Sequence, residues 1–436
     1  MHDAINTNMT GLTARASSGD PAAMLELGQI NDSAGNPSEA LSWVRKAADT
    51  GWQPAMLQMA VWAIAGRHVQ KDESGGAQII IAIAKTGHSV AGRLAVNLYA
   101  SGTGVEQSWN KATGWLCRLA KAGDANALMQ LAVMLRPHPR LASLRHTLLF
   151  SAAQSDQPCA KYLLGAALLS EQRPDDHAAG LGWIAAAAND GYRLAQTRLE
   201  QFAGETMRRA RPPVLAPKVP WWDMKRLIIL PHEGPLSKKR SVSQSPSVYV
   251  QRGFLSCLLC DYMIGAGSPH LTAATVHDAQ AGEIVDGTRT NSFANFRLLE
   301  ADLVTLSVSA RMMRAMGQPI DHGDPLSFLQ YETGQSYAPH YDFFDPTFPA
   351  HRPHLQDGGQ RIQTGLLYLN DDYQAGATCF HHTDFRFNGE RGSFLQFTNV
   401  DDAGEGDMAS LHSGEPPTAG TKWILSKWAR EAHRPL

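Results

Sequence analysis

A small residue followed four positions later by alanine or cysteine recurs through the first 200 residues. The turns fall at Gly19…Ala23, Gly51…Ala55, Gly87…Ala91, Gly123…Ala127, Ser155…Cys159 and Gly191…Ala195, at intervals of 32, 36, 36, 32 and 36 residues. A fixed period in this range marks a stacked-repeat architecture, and a generic alanine-rich helical bundle has no reason to keep it. Each unit reads as two short helices. The glycine supplies the turn that ends one helix, and the alanine lets the next approach closely. Lys46-Ala47-Ala48, Lys121-Ala122 and Ala187-Ala188 sit just before the glycines. Trp43, Trp115 and Trp183 hold like places in the first helices of their units, where a bulky filler between stacked helices is wanted.

This succession of aromatic, Lys-Ala-Ala, Gly and Ala resembles the Sel-type, tetratricopeptide-like repeats, most degraded in the fourth and fifth units. The resemblance implies an all-α repeat solenoid over residues 1–203, offering a concave surface for proteins and no catalysis of its own.

Residues 204–246 change texture. Pro212, Pro213, Pro217, Pro220, Pro231, Pro235 and Pro246 break any long helix, and a Ser/Lys-rich tip follows. This segment reads as a Pro-rich linker that Trp221-Trp222 and Leu227-Ile228-Ile229-Leu230 pin against one domain. The basic run Lys238-Lys239-Arg240 reads as solvated linker. A net charge of −2 argues against a bulk grip on nucleic acid or on an anionic membrane. No run of eighteen apolar residues offers a membrane span, and the N-terminus lacks an apolar stretch of signal-peptide length, so the expected location is cytoplasmic. Five cysteines in 436 residues make no disulfide framework. Cys257-x-x-Cys260 lies in an apolar run and reads as two buried helix cysteines more readily than as a redox pair.

Residues 247–436 form the third segment. Ser247–Val250 reads as a strand, and Phe254–Ile264 and Leu299–Met316 as helices. Short alternating runs follow at 326–331, 365–369, 393–397 and 422–428, separated by Gly, Pro, Asn and Asp. The multidomain chain is therefore expected to end in an α+β double-stranded β-helix, or jelly roll, with buttressing helices.

The chemistry-bearing residues fall among these strands. In His340-Tyr341-Asp342, positions i and i+2 of a strand face one way, so an imidazole and a carboxylate can share a metal. His412 follows 70 residues after Asp342. Two histidines and one carboxylate are the donor set of non-haem iron(II) oxygenases, and three protein ligands leave room for a bidentate 2-oxo acid and dioxygen. Lys422, ten residues after His412 in an otherwise apolar strand, requires an anionic partner. The far carboxylate of 2-oxoglutarate would supply one. A second His-x-Asp, His382-Thr383-Asp384, sits too close to His412 to leave room for the intervening strands.

The stretch Tyr331-Glu332-Thr333-Gly334-Gln335-Ser336-Tyr337-Ala338-Pro339-His340-Tyr341-Asp342 resembles the prolyl 4-hydroxylase family. So do Gly358-Gly359-Gln360-Arg361, Leu411-His412-Ser413-Gly414, Gly420-Thr421-Lys422-Trp423 and, upstream, Gly287-Thr288-Arg289-Thr290-Asn291. The resemblance implies iron(II) on His340, Asp342 and His412, and 2-oxoglutarate held by Lys422, Tyr331 and Thr378. It implies dioxygen and a peptide or protein as substrates, L-ascorbate as an auxiliary, and Tyr337, Arg361 and Trp428 bordering the peptide. Arg361 reads equally well as a surface ion pair. Trp428 shares a strand face with Lys422, Ile424 and Ser426, which suits a pocket-lining role.

Prolyl 4-hydroxylation is the leading expectation, with the repeats recruiting the partner. Lysyl or free amino-acid hydroxylation is the alternative within the chemistry. A zinc hydrolase could use the same donors but gives Lys422 no role. A repeat scaffold carrying an inactive oxygenase domain is the alternative of another class.

Overall fold

The structure, a computed structural model, describes residues 2–155, 157–170, 174–202, 212–213, 218–274, 276–278, 282–284, 287–383 and 385–433. Asp384 of the second His-x-Asp lies outside them, as do 204–211 and 214–217 of the Pro-rich segment. The chain forms two compact units, Met1–Leu119 and Ala120–Leu436. Helices stacked in sequence order make up the first, and the second also begins with helices, as far as Glu200.

The periodic turns are the helix-ending turns of these pairs. Gly19, Gly51, Gly87, Gly123 and Gly191 all take φ between +82° and +100°, where a side chain would be strained. Ala23, Ala55, Ala91, Ala127 and Ala195 are all buried where helices meet. The fifth unit has Ser155 instead of glycine, and its hydroxyl donates to the Ala152 carbonyl at 2.6 Å. Trp183 is buried against Phe150. Trp43 and Trp115 are only half-buried, with Lys46 and Arg118 lying 4.5 and 4.9 Å over their faces. A cation one turn along covers the ring that stacking leaves open.

In the strand-rich part of the second unit, β1 (Arg240–Gln244) and β2 (Ser247–Gln251) form a hairpin. After the short β3 (Thr272–Ala273), β4 (Val276–Asp278) and β5 (Gly282–Ile284) pair as a separate ribbon. β6 (Ser292–Phe296), β7 (Leu326–Tyr331), β8 (Tyr337–His340) and β9 (Arg361–Tyr368) follow. Next come β10 (Gln374–Ala375), β11 (Thr378–Phe380), β12 (Phe385–Phe387) and β13 (Phe394–Thr398). The set is completed by β14 (His412–Gly414), β15 (Pro417–Ala419) and β16 (Lys422–Arg430).

Eight strands form one sheet in the order β1-β2-β13-β9-β16-β7-β6-β3, and four form a second, β12-β11-β14-β8. The inner faces share a core in which Leu329, Leu366, Tyr368, Phe397 and Ile424 meet Phe380 and Phe387. This is the expected jelly-roll arrangement of two antiparallel sheets. β1 falls inside the segment read as linker, and extends the large sheet by pairing with β2.

Helices Cys257–Gly267 and Leu303–Met316 back the large sheet, with Phe328 against Gly267 and Met316 against Gly365. The first starts after Phe254 because Ser256 caps it, and the second starts at Leu303 because Asp302 and Thr305 form a capping box. Cys260 is buried but Cys257 is exposed, and both are free thiols, so only one of the pair sits in the core.

The later repeat helices pack on this same layer. Tyr162 donates to Asp261 at 3.0 Å, Arg391 pairs with that carboxylate, and Gln130 accepts from the Leu303 amide at 3.1 Å. The Pro-rich segment is pinned by the Leu135–Ile228 bridge and by Arg311, which donates to the Pro231, Gly234 and Pro235 carbonyls. Trp222, by contrast, is 84% exposed. Among the described residues, no helix is long and apolar enough to cross a membrane.

Candidate active site

The site is built where the two sheets face each other. β14 pairs with β8 so that His412 stands directly across from His340. β8 ends at His340, and Asp342 projects from the turn beyond it, so the strand-face rule expected for His340 and Asp342 does not position the pair. Asp342 Oδ1 nevertheless lies 3.7 Å from His340 Nε2, and its Oδ2 lies 3.6 Å from His412 Nε2. One ligand atom from each residue falls within 4.8 Å of the others, the single such group among the described residues.

Both rings are held in one tautomer. His340 Nδ1 lies 2.8 Å from the Ala338 carbonyl, and His412 Nδ1 lies 2.9 Å from the Ser410 carbonyl. A carbonyl only accepts, so each Nδ1 carries a proton and each Nε2 faces Asp342. Burial, then the neighbouring His412, pulls the His340 imidazolium down to about 3, which keeps that ring neutral. Burial works against the Asp342 carboxylate. His412, His340, Arg361 and the Thr364 hydroxyl outweigh it and hold the carboxyl below its usual range.

Supporting groups that the sequence did not single out lie behind the cluster. Thr364 donates to Asp342 Oδ2 at 2.7 Å, and Asn399 donates to Thr364 at 2.9 Å. Alternation along β9 carries the signal, because Thr364 lies on the face of Leu366 and Tyr368. The sequence reading began that strand one residue too late to include it. Tyr337 stacks on His340 with ring centroids 3.5 Å apart.

Lys422, at the start of β16, faces Tyr331 across the β7 pairing. It is 0% exposed, and its ammonium donates to the Gly376 carbonyl at 2.8 Å. No carboxylate among the described residues pairs with it. Burial pulls its pKa down to about 8. Tyr331 and Tyr368 lie under the ammonium, at 5.2 and 5.4 Å from it. Thr378 Oγ1 meets the Tyr368 hydroxyl at 2.7 Å, another partner the sequence did not reveal.

A narrow chamber of about 40 Å³ brings His340, Asp342, His412, Lys422, Tyr331, Thr378, Tyr337 and Trp428 together. It shares Arg289, Tyr337, His340, Asp342 and Trp428 with an outer cavity of about 490 Å³. Arg361 lines only the outer cavity. Its Nε donates to Asp324 at 2.8 Å, and its guanidinium lies 4.1 Å over the Trp428 ring. The Trp428 indole N–H is buried without an acceptor among the described residues. His382 is exposed on the surface.

Residues 326–430 match the sequence profile of the 2OG-Fe(II) oxygenase superfamily. Over 206 residues the chain is 31% identical to "Probable prolyl 4-hydroxylase 3" of Arabidopsis thaliana, covering 43% of this chain and 70% of that one. The chain belongs to the prolyl 4-hydroxylase family. Prolyl 4-hydroxylase 1 of the same plant is also 31% identical, over 44% of this chain and 72% of its own. Family membership makes the protein a 2-oxoglutarate-dependent dioxygenase, with iron(II) and 2-oxoglutarate as its cofactor and cosubstrate. The helical part is similar to a Sel1 repeat protein from Oxalobacter formigenes, at 22% identity and a TM-score of 0.36, over 48% of this chain and 86% of that one.

Proposed function

We propose that the protein is a prolyl 4-hydroxylase acting on a peptide or protein, with iron(II) held by His340, Asp342 and His412. The observation that carries the reading is the shared chamber, in which three converging donors stand beside the buried, carboxylate-free cation of Lys422. The donor set fits the metal. Two imidazoles and one carboxylate suit iron(II), and the hydrogen bonds on each Nδ1 and on Asp342 are the outer contacts such ligands require. When bound, the metal and 2-oxoglutarate activate dioxygen. The overall reaction converts 2-oxoglutarate, dioxygen and a prolyl residue to succinate, carbon dioxide and hydroxyproline.

The chain's own part is orientation and exclusion of water. Lys422 would fix the distal carboxylate of 2-oxoglutarate, with the Tyr331 and Thr378 hydroxyls completing its polar contacts. The apolar walls of Leu329, Leu366 and Ile424 keep water from the reacting atoms. Tyr337 and Trp428 would border the peptide, the Trp428 N–H offering a donor to a substrate carbonyl, and Arg361 would brace that indole. L-ascorbate would serve as an auxiliary reductant. The helical repeats would recruit a protein partner, in the cytoplasm.

The test is succinate formation from 2-oxoglutarate by protein purified without oxygen and reloaded with iron(II), with and without ascorbate, beside an Asp342→Ala variant. Proline-containing peptides are then screened by mass spectrometry for a gain of one oxygen. Turnover lost in the variant supports the assignment. Absence of iron-dependent 2-oxoglutarate turnover or binding would favour a scaffold whose oxygenase fold has lost its chemistry.

A further inference from the structure

Lys422 stands at the end of β16, where the ladder with β9 has already stopped. The last pair on that side is Ile424 with Tyr368, while on the other side Lys422 still pairs with Tyr331 of β7. The Leu369 amide adds one more rung, donating to the Trp423 carbonyl at 2.9 Å. The side chain of Asn370 then takes over from the backbone. Its Nδ2 donates to the Thr421 carbonyl at 2.6 Å, and its Oδ1 accepts from the Trp423 amide at 2.8 Å. One buried amide thus grips the chain on both sides of Lys422. The second hydrogen on Nδ2 goes to Asp372 Oδ1 at 2.6 Å. The same loop supplies the Gly376 carbonyl that accepts from the Lys422 ammonium.

The grip is supported from outside by the repeat helix Arg193–Glu200. Gln201, which caps that helix at its C-terminal end, donates to the other oxygen of Asp372 at 3.0 Å. Arg193, its first residue, pairs at 2.7 Å with Glu332, which directly follows Tyr331. A helix of this length is roughly 12 Å long, enough to reach from one flank of Lys422 to the other. Between its ends, Leu194 and Thr197 close a cleft of about 20 Å³ against Asn370, Asp372, Thr421 and Trp423. With Asp372 engaged through both oxygens and Asn370 through its whole amide, each side chain fixes the next. His340 and His412 stand on β8 and β14, outside this chain of contacts.

We infer that Asn370 and Asp372 are positioning residues for the 2-oxoglutarate site, and that the repeat helix Arg193–Glu200 completes that site through Gln201. They act through Lys422, whose backbone they hold so that the ammonium stays beside the Tyr331 and Thr378 side chains. The inference rests on the reading of Lys422 as the partner of the distal carboxylate. It gives the repeats a part in cosubstrate affinity that is separate from recruiting a protein.

Binding of 2-oxoglutarate is titrated by calorimetry against the full chain, with iron(II) and without oxygen, and iron(II) binding is titrated separately. Gln201→Glu sets two carboxylates face to face at the exposed end of the chain of contacts. It is expected to weaken 2-oxoglutarate binding about fivefold at low salt, the loss shrinking as salt rises. Adding Asp372→Asn gives the new carboxylate at 201 an amide to accept from and should restore most of the affinity, a rescue that general damage to packing would not show. Asn370→Ala removes the grip itself and should cost roughly tenfold or more. Iron(II) affinity should stay as in wild type throughout. Unchanged 2-oxoglutarate affinity in Gln201→Glu, no recovery in the pair, or a parallel fall in iron(II) affinity overturns the inference. Lys422→Ala separates it from the reading beneath. If Lys422→Ala leaves 2-oxoglutarate affinity intact, that reading fails and the inference with it. If Lys422→Ala weakens binding while Gln201→Glu does not, the reading stands and the inference alone falls.

Discussion

His340 and His412 lie directly opposite one another on adjacent antiparallel strands, with ring centroids 4.3 Å apart. The pairing brings the two Nε2 atoms to one side, and Asp342 is held between them by the Thr364 hydroxyl. Removing that hydroxyl leaves the carboxylate in place but frees its angle. Thr364→Val is therefore expected to weaken iron(II) binding about 10- to 100-fold, the usual cost of losing an outer contact on a metal ligand. Asp342→Ala should abolish iron-dependent turnover altogether. Metal titration followed by calorimetry distinguishes the two. Affinity equal to wild type in Thr364→Val would show that the Asp342 orientation is set elsewhere.

Lys422 and Lys427 sit on opposite faces of β16. Lys422 lines the chamber, while Lys427, 1% exposed, reaches the Asp324 carbonyl on the outer face. Lys422→Ala should raise the KM for 2-oxoglutarate on the order of 100-fold, because a buried ionic partner is lost. Lys427→Ala should leave that KM within a few-fold and instead lower the melting temperature, since it removes a buried donor. Steady-state kinetics with thermal melts of both variants checks this. Equal effects on KM would refute the strand register.

The same lysine sets a pH dependence. Burial lowers its ordinary pKa of 10.5 to about 8 in the folded chain. Between those values the unfolded chain binds more protons than the folded one, so without 2-oxoglutarate this residue makes stability rise with pH. Binding the dianion requires the ammonium, which is increasingly lost above about pH 8. The thermal shift produced by 2-oxoglutarate should therefore be full near pH 7 and shrink as pH rises past 8, and Lys422→Met should flatten that dependence. A shift constant from pH 7 to 9.5 in the wild-type protein would contradict the assignment of Lys422 as its partner.

The parts legible in sequence were those with a period or a chemical demand. The repeat glycines announced themselves because a positive φ ends each of their helices tightly, and Lys422 because a cation in an apolar strand demands a polar partner. His340 and Asp342 were found for a reason the structure changes. The strand stops at His340, and the turn together with Thr364 orients the carboxylate. Thr364, Asn399 and Tyr368 were missed because their partners are distant in sequence: Asn399 reaches Thr364 from 35 residues away. Compactness was also hidden. It groups the repeats after Leu119 with the strand-rich part, because polar contacts such as Tyr162 with Asp261, 99 residues apart, leave no local pattern.

Those buried contacts bear on whether the oxygenase part stands without the repeats behind it. Gly265, on the helix Cys257–Gly267 that backs the large sheet, faces the repeat helix Pro158–Leu169. A methyl group placed there would come within 2.5 Å of Cys159 Sγ and 2.9 Å of the Tyr192 hydroxyl. Gly265→Ala is therefore expected to destabilise this unit by about 1–3 kcal/mol, the range for overpacking a filled core. If the collision is the cause, adding Cys159→Ala should restore most of the loss by emptying the space the methyl needs. The two single variants and the pair, compared by denaturant unfolding, give the coupling directly. Neutral behaviour of Gly265→Ala, or no recovery in the pair, would mean that this helix does not lean on the repeats. With the coupling present, a chain beginning at Ser247 should lose the Tyr162 and Gln130 contacts together with their apolar surroundings and melt lower than a chain beginning at Ala120. Slow or insoluble behaviour of the shorter chain would then reflect a missing buttress and could not be read as evidence that the repeats recruit substrate.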